Sequence, residues 1–197
     1  IVCIHQIDTR KLTKIIRSSK TVNAVISTDP NFKFENFKDR LDAYTIVNPV
    51  GQVSAKETVN YAPEKPNGLK IAVIDLGIKQ SIVRSLLRRG CEVAVTPYDI
   101  SFESLLALKP DGIMLSNGPG DPTDCAGILP VIKQIYQSNI PVFAICLGHQ
   151  LLALAQGAHT SKMRFGHRGG NHPVKDLKKD RVYITSQNHG YAVDNDR

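Results

Sequence analysis

Val142-Phe143-Ala144-Ile145-Cys146-Leu147-Gly148-His149-Gln150-Leu151-Leu152-Ala153 decides how this 197-residue chain is read. It opens as a short apolar run suited to a buried strand and continues in a helical pattern, with a cysteine at the join. A sharp strand-to-helix turn of this kind holds its central side chain out at the carboxyl edge of a sheet. The two backbones cross so closely there that the residues two before and two after must be small. Here they are Ala144 and Gly148. Cys146 would also stand at a helix N-terminus, where unpaired N–H groups and the helix dipole favour the thiolate, the nucleophilic form of the residue. The plainer alternative is a buried core cysteine. The small-x-Cys-x-Gly frame behind an apolar strand favours the nucleophile.

Working outward, strand and helix alternate from Leu69 onward. Lys70–Asp75 reads as a buried strand, and Ile78–Arg89 as a helix with Ile82, Val83, Leu86 and Leu87 on one face, stopped by Gly90. Cys91–Thr96 is a second strand, and Ser101–Leu108 a helix capped by Ser101 and ended by Pro110. Gly112–Ser116, Ala126–Ser138 and Ile140–Ile145 supply strand, helix and the strand that feeds Cys146. This alternation predicts a mostly parallel α/β sheet with helices on both faces. Such sheets bind ligands at the carboxyl ends of their strands, where Cys146 falls. After a helix over Leu147–Gln156, His159–Phe165 and Arg181–Ser186 read as an antiparallel extension. A Gly/His/Pro-rich loop, Gly166-His167-Arg168-Gly169-Gly170-Asn171-His172-Pro173, would join them, and Ser186–Tyr191 would form a polar turn.

Residues 1–60 carry less signal and read as the C-terminal part of a smaller N-terminal domain. Asp8–Arg17 suits a short helix capped by Asp8 or Thr9, Val22–Ser27 a strand, and Phe32, Phe34 and Phe37 a satellite cluster beside a second short helix. Tyr61-Ala62-Pro63-Glu64-Lys65-Pro66-Asn67-Gly68 has the composition of a linker, leaving 69–197 as the main domain.

Apolar content of 42% and charged content of 22% are ordinary for a soluble globular protein. No apolar run approaches the roughly eighteen residues of a membrane span, and residues 1–20 lack a signal-peptide core. The four cysteines, Cys3, Cys91, Cys125 and Cys146, show no CxxC or zinc-like spacing, which suits a cytoplasmic thiol protein. The net charge of +7 is spread along the chain, so neither nucleic acid nor membrane is expected as a partner. The histidines show no metal-ligand spacing.

Ser116-Asn117-Gly118-Pro119-Gly120-Asp121-Pro122 closes the third strand as a rigid loop whose backbone N–H groups can approach a ligand. It lacks the GxxxxGK[ST] spacing of a phosphate loop. It is an ordinary tight turn or, facing the same crevice as Cys146, a source of the donors an oxyanion hole needs.

Four motifs together, Ser116–Pro122, Phe143–Leu152, Phe165–Val174 and Gln187–Tyr191, resemble those of the class I (triad-type) glutamine amidotransferases. The last two, with Asp8-Thr9-Arg10 and Leu12-Thr13, are similar to the small, glutamine-hydrolysing subunits of carbamoyl phosphate synthetases. The resemblance implies a flavodoxin-like amidotransferase domain in which Cys146 attacks the side-chain amide of L-glutamine, giving a γ-glutamyl thioester and ammonia. It implies oxyanion donors at the N–H groups of Leu147 and Gly118, and a glutamine site formed with Gly120, Gln150, Asn188, Gly190 and Tyr191. The ammonia would pass to a large synthetase subunit that uses ATP, bicarbonate and Mg and makes carbamoyl phosphate for arginine and pyrimidine synthesis. No cofactor is implied in the small subunit itself.

Two departures stand out. Ala144 replaces the family's glycine. The family's catalytic His and Glu lie in a His-Pro-Glu motif downstream of the Asn-His-Gly segment, and His172-Pro173-Val174 cannot supply it. The chain is therefore expected to be a fragment truncated in its catalytic domain, feeble by itself. His189 falls in a substrate-binding turn rather than a base position, and His149 is expected to pack or hydrogen-bond. Rival readings are an amidotransferase serving anthranilate, GMP or CTP synthesis, a non-catalytic regulatory subunit, and a thiol redox protein or hydrolase.

Overall fold

In the computed structural model, which describes residues 3–19 and 22–194, the chain divides into two units, Ile1–Val47 and Asn48–Arg197. The first holds helices α1 (Thr9–Ser19) and α2 (Glu35–Asp42), neither of which buries a residue. Asp8 caps α1, its carboxylate accepting from the Lys11 N–H at 2.9 Å. Phe32 and Phe37 stack at 5.0 Å between ring centroids, but Phe34, expected with them, is exposed. The strand expected over Val22–Ser27 is irregular chain. A strand needs a partner ladder, and here Asn23 Nδ2 instead donates to the carbonyls of Leu41 and Tyr44, at 2.7 and 2.9 Å.

The second unit runs α3 (Pro49–Val53), β1 (Val59–Tyr61), β2 (Lys70–Ile74), α4 (Gln80–Leu87), β3 (Glu92–Thr96), α5 (Phe102–Ala107) and β4 (Gly112–Leu115). A 3₁₀ segment (Pro122–Ile128), α6 (Leu129–Gln137), β5 (Val142–Ala144), α7 (Leu147–Ala155), β6 (Thr160–Asp176) and β7 (Arg181–Val193) follow. One sheet has the order β1-β3-β2-β4-β5. Its last four members are parallel, and β1 pairs antiparallel with β3.

The near-continuous apolar runs of β2, β3 and β4 are what a strand covered on both faces requires. One face packs Ala72, Ile74, Ile113 and Leu115 against Leu105 of α5, Ile132 and Ile135 of α6 and Leu151 of α7. The other packs Val73, Val93, Val95 and Met114 against Val83 of α4. Helices on both faces are thus realised as two separate apolar layers.

Before β6, two boundaries differ from expectation by more than two residues. Residues 48–60, expected with the lead-in, belong to the larger unit, because Val59, Asn60 and Tyr61 pair with Val95, Ala94 and Val93. The helix expected from Ala126 starts at Leu129, since Cys125 takes φ −99° and ψ 20° and breaks the preceding turn.

The largest difference is the Gly/His/Pro-rich segment, which is strand. β6 runs straight through it and pairs with β7 over His167↔His189 and His172↔Thr185, forming a separate two-stranded sheet. Its ladder steps at two register shifts, between Lys162 and His167 and between Gly169 and His172. Gly166 (φ 66°) and Gly169 (φ 134°) take up the bends there. Cross-strand hydrogen bonds outweigh the local turn preference, and the glycines become bulge residues. Among the described residues, no helix is long and apolar enough to cross a membrane.

Candidate active site

Strand β5 ends at Ala144, α7 begins at Leu147, and Cys146 between them takes φ 50° and ψ −107°. A side chain in that region of backbone space is strained by about 1–3 kcal/mol and persists only where its surroundings hold it. Three bonds do so. Ile145 N–H donates to Leu115 O at 3.0 Å, Gly148 N–H to Ser116 O at 3.1 Å, and Gln150 N–H to Cys146 O at 3.0 Å. The crossing is tight: a Cβ on Gly148 would lie 2.5 Å from the Leu115 carbonyl oxygen and 2.6 Å from Leu115 Cβ. The turn therefore has the form anticipated, with Ala144 accommodated, half-buried, at its first small position.

The loop after β4 is held against the end of β2. Ser116 is fully buried, its Oγ accepting from Leu76 N–H at 2.9 Å and donating to Asn117 O at 2.9 Å. Asn117 Nδ2 donates to Gly77 O at 2.9 Å. Gly118 lies so close to both neighbours that a Cβ would overlap the Leu76 carbonyl oxygen and come within 2.8 Å of Leu147 Cδ2. β2 and β4 are adjacent while their connections run to opposite sides, so this crevice is the topological switch point, the usual ligand position in an open parallel sheet.

Over this edge stands β7. Cys146 Sγ lies 3.9 Å from the Asn188 carbonyl oxygen. Gln150, buried within the first turns of α7, donates from Nε2 to Tyr191 O at 2.7 Å. The result is an open cavity of about 930 Å³ lined by Gly118, Cys146, Gln150, Asn188 and Tyr191 together. Leu147, Gly120 and Gly190 are not among its lining residues. Leu147 is buried beneath the turn, a Cβ on Gly120 would strike the Pro49 ring, and one on Gly190 would sit 3.5 Å from Arg168 Nη2.

Both ring nitrogens of His189 are engaged, Nδ1 with Tyr191 O at 2.7 Å and Nε2 with Gln187 Oε1 at 2.8 Å. His149, expected to pack or hydrogen-bond, is exposed on the cavity wall.

Lys79 and Asn117 are among the lining residues to which sequence reading assigned no role. Lys79 follows β2, in a turn shaped by Asp75, whose Oδ1 accepts from Gly77 N–H at 2.9 Å and Ile78 N–H at 2.8 Å. Histidines aside, it is the one charged side chain on the described wall. Asn117 Oδ1 is buried without a hydrogen-bond partner among the described residues. The signal for both was position, since each follows a parallel strand at its carboxyl end. Among the described residues no group of three or more His, Cys, Asp or Glu could hold a metal ion.

The cavity thus presents a strained thiol and a cation. Three comparisons bear on it. The family model described as glutamine amidotransferase class-I matches residues 72–197. The chain is 51% identical over 187 residues to the carbamoyl phosphate synthase small chain of Clostridium perfringens, covering 95% of this chain and 52% of that protein. It is 48% identical over 191 residues to the carbamoyl phosphate synthase pyrimidine-specific small chain of Bacillus subtilis, covering 96% and 51%. Among solved structures, one from Thermoplasma acidophilum, described as a GMP synthase subunit, aligns with a TM-score of 0.55 at 26% identity, over 64% of this chain and 67% of that one. The chain spans about half the length of the curated relatives it matches.

Proposed function

Because the chain belongs to the class-I glutamine amidotransferase family, we propose that it carries the glutamine-hydrolysing site of a carbamoyl phosphate synthetase, with Cys146 as nucleophile. The observation that carries this reading is the strained Cys146 opening into the same cavity as Gly118, Gln150, Asn188 and Tyr191. Its thiolate attacks the carboxamide carbon of L-glutamine, and the oxygen becomes an oxyanion that accepts from the N–H groups of Leu147 and Gly118. Collapse breaks the C–N bond, a proton is delivered to the leaving nitrogen, and ammonia departs from a γ-glutamyl thioester. Water then attacks the thioester, releases glutamate and returns the thiol. Gly120, Gln150, Asn188, Gly190 and Tyr191 form the glutamine site through backbone and amide groups.

One end of the substrate finds a partner as well. Lys79, the cation on the cavity wall, takes the α-carboxylate. The ammonia goes to a large synthetase subunit, in the cytoplasm, that uses ATP, bicarbonate and Mg to make carbamoyl phosphate for arginine and pyrimidine synthesis. The small subunit needs no cofactor for its own step. The curated relatives named carbamoyl phosphate synthase small chain support this assignment.

Mass spectrometry after treatment with a diazo-ketone analogue of glutamine tests the reading. The expected result is one adduct, on Cys146, blocked by glutamine. Cys91 and Cys125 are buried and Cys3 is exposed, so labelling of Cys3 and Cys146 alike, indifferent to glutamine, would sink it. Lys79→Ala should raise the glutamine concentration that half-protects Cys146 by roughly tenfold or more, the worth of a charged hydrogen bond. Unchanged protection would remove Lys79 from the site.

A further inference from the structure

We propose that Asp75 is a positioning residue of the glutamine site: its buried carboxylate braces the Ser116–Gly120 loop from two sides, through the Gly77 turn with Oδ1 and through the Ala55 segment with Oδ2. The inference deepens the proposed glutamine site and rests on that reading for its reaction.

Asp75 follows β2 and is 6% exposed. Its own N–H donates to Thr96 O at 3.0 Å, which holds it to the end of β3. Among the described residues its carboxylate meets three backbone N–H groups. Oδ1 accepts from Gly77 at 2.9 Å and Ile78 at 2.8 Å, and Oδ2 from Ala55 at 2.9 Å. A carboxylate is kept in a buried position only where donors replace the water it gave up. Here those donors come from stretches 20 positions apart, so one side chain joins them. Gly77 takes φ 125°, one of several conformations open to glycine. The Oδ1 bonds select it, and the shape of the turn therefore depends on Asp75.

The oxyanion loop rests on that turn. Leu76 N–H donates to Ser116 Oγ and Asn117 Nδ2 to Gly77 O, each at 2.9 Å. A Cβ on Gly77 would stand 3.1 Å from Pro119 Cδ and 3.4 Å from Gly118 Cα, so the two backbones touch. The Oδ2 side reaches the same loop from α3. A Cβ on Gly120 would strike the Pro49 ring, and Val53 Cγ2 would lie 3.1 Å from a Cβ on Gly77. Ser54 Oγ accepts from Tyr98 N–H at 3.0 Å, which fixes this segment beyond β3. Asp75 thus draws together the two supports of the loop, one under Gly118 and one against Gly120. It does not line the cavity itself. Its effect on chemistry runs through the Gly118 N–H, a backbone group that moves only if the loop moves.

Steady-state glutaminase assays on the assembled enzyme test this with two variants. Asp75→Asn keeps the shape but leaves one acceptor oxygen, so one set of N–H groups faces an amide NH₂. It should lower kcat about 10²-fold, the scale of a misplaced group near the reacting atoms. KM should stay within about threefold, because the flexible Lys79 side chain can follow its carboxylate whereas the Gly118 N–H cannot follow the oxyanion. Ala55→Pro removes only the donor to Oδ2, and Ser54, at ψ 148°, already has the extended backbone that precedes proline. Its kcat should fall about tenfold, and it decides alone if Asp75→Asn does not fold. Alkylation of Cys146 by iodoacetamide should stay within about twofold in both variants, since the thiol's own turn is untouched. A kcat within about twofold of the unaltered enzyme would overturn the inference, as would a loss carried by KM alone or matched by slower alkylation. Amide hydrogen exchange over residues 116–121 of the 197-residue chain needs no glutamine and should be faster in both variants. Unchanged exchange would likewise overturn it. If the unaltered enzyme hydrolyses no glutamine while exchange still accelerates, the brace stands and the glutamine reading is what falls.

Discussion

On the proposed function, Cys146→Ala should abolish glutamine-dependent turnover in the assembled enzyme, by on the order of 10⁵-fold or more, the scale seen when a covalent nucleophile is removed. Synthesis driven by added ammonia should persist, because in the proposed scheme the synthetase step does not pass through the thiol. Loss of both activities would mean that Cys146 supports the assembly rather than the chemistry. Loss of neither would remove it from the mechanism. A second arm separates chemistry from strain. At φ 50° and ψ −107° any residue with a Cβ is held against its preference, whereas glycine occupies that region freely. Cys146→Gly should therefore be more stable than Cys146→Ala by about 1 kcal/mol in denaturant unfolding. Equal stabilities would show that the turn carries no such strain.

The next largest effect is expected at Gly118. An alanine there places its methyl on the Leu76 carbonyl oxygen and within 2.8 Å of Leu147 Cδ2. The first obstacle is backbone at the end of the central strand, which cannot swing aside as a side chain would. Gly118→Ala should cost about 2–3 kcal/mol of stability, the range for overpacking a tight site. It should also lower glutamine hydrolysis by roughly 10²–10³-fold, since the loop must back away from Cys146 and withdraw an oxyanion donor. Thermal melting and steady-state glutaminase assays check the two effects independently. A destabilised variant with full turnover would leave Gly118 as a packing residue and place the oxyanion donor elsewhere.

Much of this was legible along the chain. Apolar runs at β2, β3 and β4 broken by helical periods specify a parallel sheet covered on both faces, because no other arrangement buries them. The turn at Cys146 was readable because Gly148 leaves room for a strand crossing that larger residues would block. Ser101 was readable as a cap because a serine hydroxyl meets an orphan N–H locally, here that of Ser104 at 3.1 Å. These are short-range causes, and their residues lie next to one another in sequence.

What the chain did not disclose depends on partners far along it. Gly166–Pro173 has every local mark of a loop, yet β7 supplies a ladder that makes it strand. Val59–Tyr61 is too short to read as a strand and becomes one only at the edge offered by β3. Lys79 and Asn117 acquire their place on the cavity wall because β2 and β4 end side by side. Gln150 reaches Tyr191 across 41 positions of chain. Local sequence thus sets the strands, the helices and the nucleophile's turn, through contacts within a few residues. The cavity around that turn exists only once distant strands have paired, because its walls come from α4, the loop after β4, α7, β6 and β7 and no single stretch contains them.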